Sequence, residues 1–171
     1  MSEPAQPTGP EQAANPAPEP STGQQPSFQI EKLYVKDVSL EVPNAPQVFM
    51  QAESPQLEVQ VRNEAMQFAD GLFEVTVTVT VTARAGGKTV FLVEAAQAGI
   101  FAVRGVPQAD LEPLLAIACP TILYPYAREA ISDLVTRAGF PAVVLQPFSF
   151  EQMYMERRQQ AAGEPRIEVA Q

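Results

Sequence analysis

The side chains of this sequence that can do chemistry are carboxylates and little else. Glu31, Asp37, Glu41, Glu58, Glu74 and Glu94 fall in or beside strand-like segments of the first hundred residues. Two converging acids would suit glycoside-type hydrolysis, so a carboxylate-dependent hydrolase is one reading. No pair stands at an informative spacing, and most of these acids alternate with polar neighbours, as on a solvated strand face. Histidine is absent. That removes the usual base near neutral pH and the commonest metal ligand, and it excludes Ser-His-Asp and Cys-His arrangements within one chain. Cys119 is the one cysteine, so no intrachain disulfide or cysteine metal cluster forms. It precedes Pro120 at a helix start, where a thiolate gains stability; with no histidine or nearby lysine, a small buried cysteine is the favoured reading. Ala85-Gly86-Gly87 lacks the spacing of a phosphate-binding loop. No catalytic role, cofactor or metal is expected.

The elements that must position these groups follow from hydrophobic period. Phe28-Ile30, Leu33-Val35 and Val38-Leu40-Val42 alternate with two slips of phase, which predicts a first strand with bulges. Leu57-Val59-Val61 alternate with Glu58-Gln60-Arg62 in a second strand. Phe73, Val75, Val77, Val79 and Val81 oppose Glu74, Thr76, Thr78, Thr80 and Thr82 in a third. Gly86-Gly87 supplies a hairpin turn. A fourth strand, Lys88 to Val103, carries Phe91, Val93 and Ala95 on one face and Val90, Leu92, Glu94 and Ala96 on the other. Apolar residues on both faces call for cover on both, and the second cover can be another subunit.

Helices follow. Asp110 caps a short helix through Ala118, Pro120 opens the next, and Pro125 either kinks it or starts it. Asp133 and Arg137 make an i, i+4 pair; Gly139 and Pro141 end the helix. Ser149 with Gln152 forms a capping box and Phe148 with Met153 a staple for a last helix. The predicted class is α+β: a four-stranded antiparallel sheet with helices packed on one face.

Residues 1–27 hold seven of the 17 prolines, three glutamates and no lysine or arginine. Such a run has too little apolar surface to fold, so 1–27 reads as a disordered acidic arm, 28–162 as the folded domain and 163–171 as a flexible tail. The proline-rich connection 43–56 has an apolar middle, Val48-Phe49-Met50, that needs cover. With Phe150, Met153 and Tyr154 of the last helix it offers adaptable aromatic and methionine surface, suited to extended polypeptide; mutual cover of loop and helix explains the same residues.

Lysine and arginine number 11 against 20 acids, a net charge of −9. That disfavours nucleic acid and anionic membranes and favours basic partners, unfolded polypeptides with net positive charge among them. No secretory leader or membrane-spanning run is visible, and the cysteine usage fits a reducing compartment.

Several motifs, in order, resemble the SecB family of protein-export chaperones. Phe28-Gln29-Ile30 through Tyr34, Lys36-Asp37 and Glu41 are similar to its first strand, and Pro43-Asn44-Ala45-Pro46-Gln47-Val48-Phe49 to its connection. Gly99-Ile100-Phe101 matches its G-I-F segment, and Cys119-Pro120-Thr121-Ile122-Leu123-Tyr124-Pro125-Tyr126-Ala127-Arg128-Glu129 its strongest signature. Arg137, Gly139, Phe140-Pro141, Leu145, Pro147 and Phe150 continue in register. The resemblance implies a cytoplasmic, ATP-independent holdase, a dimer of dimers that keeps secretory precursors unfolded and passes them to the SecA motor. It implies docking of SecA's basic, zinc-bearing tail at Asp37, Glu41, Leu92 and Glu94. It implies a client groove from Pro43, Val48, Phe49, Met50, Phe150, Met153 and Tyr154. An oligomer interface is implied at Leu92, Val93, Ala95, Gln97, Tyr126, Ile131 and Leu134. The family often carries Trp after the Phe49 position; this chain has none, so its groove is expected to be less aromatic. A stress- or antitoxin-dedicated chaperone of the same fold, binding clients without SecA, is the alternative.

Overall fold

The computed structural model describes residues 25–50 and 53–163. Strands β1 (Ser27–Glu41), β2 (Gln56–Ala69), β3 (Leu72–Ala85) and β4 (Lys88–Arg104) form one antiparallel sheet in the order β1-β4-β3-β2. The chain meanders through β2, β3 and β4, while β1 lies against β4, so β1 and β2 are the edges. Gly71 and Gly86-Gly87 make the two hairpin turns at positive φ, a conformation open to glycine at no steric cost. The register of β1 against β4 shifts between Ile30 and Lys32 and again between Val35 and Asp37; these are the two slips of phase seen in the sequence. A further shift, between Ala83 and Arg84, turns Val90 into the core, against the face expected of it. β2 runs on to Ala69, beyond the predicted Arg62, because pairing with β3 holds a polar edge segment that shows no apolar alternation.

One face of the sheet carries the helices. Val75, Val77, Val79 and Val81 are fully buried there, each worth roughly 1.5–3 kcal/mol. They meet Leu123, Ala127, Ile131 and Val135 of α2 (Cys119–Arg137). Gly99 lets the helix approach: a Cβ there would lie 2.8 Å from the Phe101 ring and 3.1 Å from Leu123. The G-I-F segment and the long signature are therefore two sides of one contact.

The helical part has fewer breaks than its prolines suggest. α1 (Gln108–Pro113) passes through a π-helical turn, Leu114–Ala118, directly into α2. Pro107 takes the N-cap position and Asp110 lies in the first turn, so Asp110 is not the cap. In an α-helical pattern the Ala116 carbonyl would accept from residue 120, but Pro120 has no N–H. Asn63 Nδ2 of β2 donates to that carbonyl at 3.3 Å, and Asn63 Oδ1 accepts from Arg157 at 2.9 Å. One edge-strand amide thus ties the π turn to α3 (Phe150–Gly163). α2 continues through Pro125, and Arg137 pairs with Asp133 at 2.8 Å. Ser149 Oγ accepts from the Gln152 N–H at 3.2 Å. The Gln152 side chain turns to Glu156 instead, so half of the capping box forms, and Phe148 packs on Tyr124 and Phe150. The predicted arm and tail fall almost wholly outside the described residues, as do Gln51 and Ala52 of the connection.

Candidate functional site

Where α2 ends, the chain builds one wall of a cleft. Gly139 takes φ +89°, its N–H donates to Thr136 at 3.0 Å, and the Phe140 N–H donates to Val135 at 3.2 Å. This is a Schellman turn, and it aims Phe140 between Phe49 and Phe91, at ring separations of 5.1 and 5.0 Å. The wall continues to Phe148 and is pinned where Tyr124 Oη donates to the Gln146 carbonyl at 2.8 Å. Opposite stand Val48 and Phe49 of the connection, which Asn44 Nδ2 fixes to the Thr89 carbonyl at 2.8 Å. The floor is the helix-side face of β2, where no helix among the described residues covers Leu57 and Val59. The cleft measures about 770 Å³. Among the described residues Glu53 is its one carboxylate and Tyr124 its other ionisable group; burial raises the Tyr124 pKa and the nearby Arg128 opposes that rise. Such a surface can take up apolar side chains of an extended chain and offers no converging acids.

Of the seven groove residues inferred from the sequence, Val48 and Phe49 line this cleft. The other five do not. Pro43 and the 87% exposed Met50 project from the connection to solvent. Phe150 is buried behind the wall, its ring 5.0 Å from Phe148 and 5.8 Å from Tyr124. Met153 packs on the core and Tyr154 is buried along α3. The missed residues are Leu57 and Val59 of the floor, with Phe91, Tyr124, Phe140 and Phe148. A signal was present: residues 140–148 are an apolar run bracketed by Pro141 and Pro147, the same composition that marks the connection.

The other sheet face has no helix layer among the described residues. Glu41 pairs with Leu92, Ser39 with Glu94, and Asp37 with Ala96. Asp37, Glu41, Leu92 and Glu94 therefore occupy neighbouring positions on one face. Thr80 Oγ1 donates to Glu94 Oε2 at 2.6 Å, and Arg62 approaches Glu94 Oε1 at 3.5 Å. Farther along, Lys36 pairs with Glu74 at 2.6 Å, and Tyr34 also donates to Glu74. The Lys36 bond, then the Tyr34 bond, hold the Glu74 carboxyl below its usual range; the bond to Glu74 pushes Tyr34 up to about 12.

The residues read as an oligomer interface divide. Leu92 lies half-buried on the acidic face, Tyr126 is exposed on α2, and Leu134 is half-buried. Val93, Ala95, Gln97 and Ile131 are interior residues of the single chain, so they form no outer surface. The register sets Val93, Ala95 and Gln97 opposite Leu40, Val38 and Val35 of β1. Cys119 is fully buried, which pushes its thiol up to about 12; it stays protonated at neutral pH. Among the described residues no helix is long and apolar enough to cross a membrane.

A family model described as "Preprotein translocase subunit SecB" matches residues 21–161. The chain is 60% identical over 142 residues to the protein-export protein SecB of Dechloromonas aromatica, covering 83% of this chain and 93% of that one. It is 58% identical over 138 residues to that of Chromobacterium violaceum, covering 81% and 92%. Among solved structures, a SecB-like chaperone of Mycobacterium tuberculosis, in complex with an antitoxin peptide, superposes with a TM-score of 0.59 at 20% identity. That match covers 71% of this chain and 90% of the other and establishes likeness of fold.

Proposed function

The chain belongs to the SecB family of protein-export chaperones, and from that premise we propose that its cleft holds unfolded secretory precursors while its acidic sheet face docks SecA. The observation that carries the first part is the cleft itself. It is apolar, open and about 770 Å³ in volume, enough for several side chains of an extended segment and too small for a folded domain. Its walls are mainly aromatic and aliphatic surface, which suits many sequences more than one.

Docking is supported by the adjacency of Asp37, Glu41 and Glu94 around the apolar Leu92 on an otherwise threonine-rich face. A basic segment meets three carboxylates and one apolar contact there. Self-association as a dimer of dimers is supported by an uncovered apolar stripe on the helix side of β1. Phe28, Ile30, Val35 and Val38 are 39–53% exposed there. A second copy would bury this stripe, with Tyr126 on the neighbouring helix face. Ala95 and Gln97 would act on assembly through Val38 and Val35, their partners on β1. The reading places the protein in the cytoplasm, where SecA meets precursors.

Two measurements test this. Light scattering at micromolar concentration should give a tetramer; a monomer would refute the assembly. Asp37→Ala or Glu94→Ala should weaken binding of the zinc-loaded SecA tail, and unchanged affinity would reject the docking assignment. A SecB-fold chaperone dedicated to an antitoxin would instead bind clients and ignore SecA in the same assay.

A further inference from the structure

The acidic face carries its own cation. Of the three ion pairs among the described residues, one touches the patch: Arg62 Nη2 of β2 lies 3.5 Å from Glu94 Oε1. The other Glu94 oxygen accepts from Thr80 at 2.6 Å, so both carboxylate oxygens are engaged within the chain. Arg62 gets there by reaching over β3. The register sets Arg62 beside Thr78, Thr78 beside Ala96, and Ala96 beside Asp37, one row running straight across the sheet. Thr78 and Ala96 are short, so the surface between Arg62 and the patch is low and a long side chain can lie across it. The guanidinium side chain is 62% exposed and the carboxylate 29%; the pair is held loosely and can exchange. Lys36, the nearest cation on β1, is already taken by Glu74.

We propose that Arg62 is an intramolecular competitor at the docking patch, occupying Glu94 until a cationic segment displaces it. This rests on the reading that the patch docks a basic partner. An exposed pair of this kind is worth little, so Arg62 sets a threshold and does not block the site. A segment with clustered lysines or arginines gains enough from Asp37, Glu41 and Glu94 together to displace it. A segment with one isolated cation exchanges one weak pair for another and gains little. Arg62 thereby selects for charge density in the partner.

The test titrates the zinc-loaded SecA tail peptide by calorimetry at low ionic strength into the unmodified protein, Arg62→Gln, Glu94→Gln and the double variant. Arg62→Gln should tighten binding about 1.5- to 5-fold, the range an exposed pair allows. Glu94→Gln should weaken binding, and Arg62→Gln should add nothing in its presence. If Glu94→Gln weakens binding while Arg62→Gln changes nothing, competition is overturned and docking stands. A full gain from Arg62→Gln in the Glu94→Gln background also overturns competition, since it marks a general charge effect. If Glu94→Gln has no effect at all, the docking reading falls and the competitor with it.

Discussion

Gly139→Ala is the substitution that separates the backbone of the cleft from its side chains. Gly139 sits at φ +89°, where an L-residue costs roughly 1–2 kcal/mol. Steric clash adds little, because a Cβ there meets the Phe49 ring edge at 3.6 Å, an ordinary contact. The cost has two places to appear. If the chain keeps the turn, unfolding free energy falls by the full amount and the cleft survives. If the turn releases, Phe140 leaves its stack between Phe49 and Phe91, global stability falls less, and affinity for an apolar unfolded segment drops by a factor of about 5–30. Asparagine tolerates the left-handed region, so Gly139→Asn should show a smaller loss on both measures. The assay pairs urea denaturation, at one fixed protein concentration so that any association contributes equally to every variant, with fluorescence anisotropy of a labelled unfolded peptide. Unchanged values on both measures for Gly139→Ala, or equal damage from Asn and Ala, would refute the argument.

Gly99→Ala should destabilise by about 1–3 kcal/mol through overpacking against Phe101 and Leu123; its effect should be less than additive with Leu123→Ala in urea melts, and additivity would contradict the contact. Glu74 has a depressed folded-state pKa, so its contribution is full above the ordinary value of 4.5 and is lost as pH falls through the folded value. Urea midpoints taken downward from pH 6 should therefore fall more steeply for the native chain than for Glu74→Gln; parallel curves would count against the Lys36–Glu74–Tyr34 cluster. Cys119, buried and with its thiol raised to about 12, should react with a thiol reagent at pH 8 only as fast as the chain opens; fast labelling without denaturant would show that the helix start is accessible.

The sheet was legible because its period is strong. Val75 to Val81 alternate cleanly, and even the two bulges of β1 show as slips between Ile30 and Lys32 and between Val35 and Asp37. The helices were less so, because Pro120 and Pro125 read locally as breaks. The fold carries the helix past Pro120 by a π turn and by an amide from Asn63, 53 residues before the Ala116 carbonyl it reaches, and α2 simply continues through Pro125. The cleft was legible in part. Val48 and Phe49 announce themselves as apolar residues on a loop, but Phe150 and Tyr154, which read in sequence as equally adaptable surface on the last helix, are buried. Which aromatic residue lines a cavity and which supports it depends on the turn at Gly139 and on the bend that brings 140–148 over β2, neither of which has a period to read.

The claim that unfolded precursors lie in the cleft is tested most directly by photocrosslinking. A benzophenone side chain placed at Val59, on the exposed cleft floor, and one at Thr80, on the opposite sheet face, would each be irradiated with an unfolded secretory precursor. Precursor adducts should form from Val59, with few from Thr80. Adducts from Thr80 equal to or exceeding those from Val59 would contradict it.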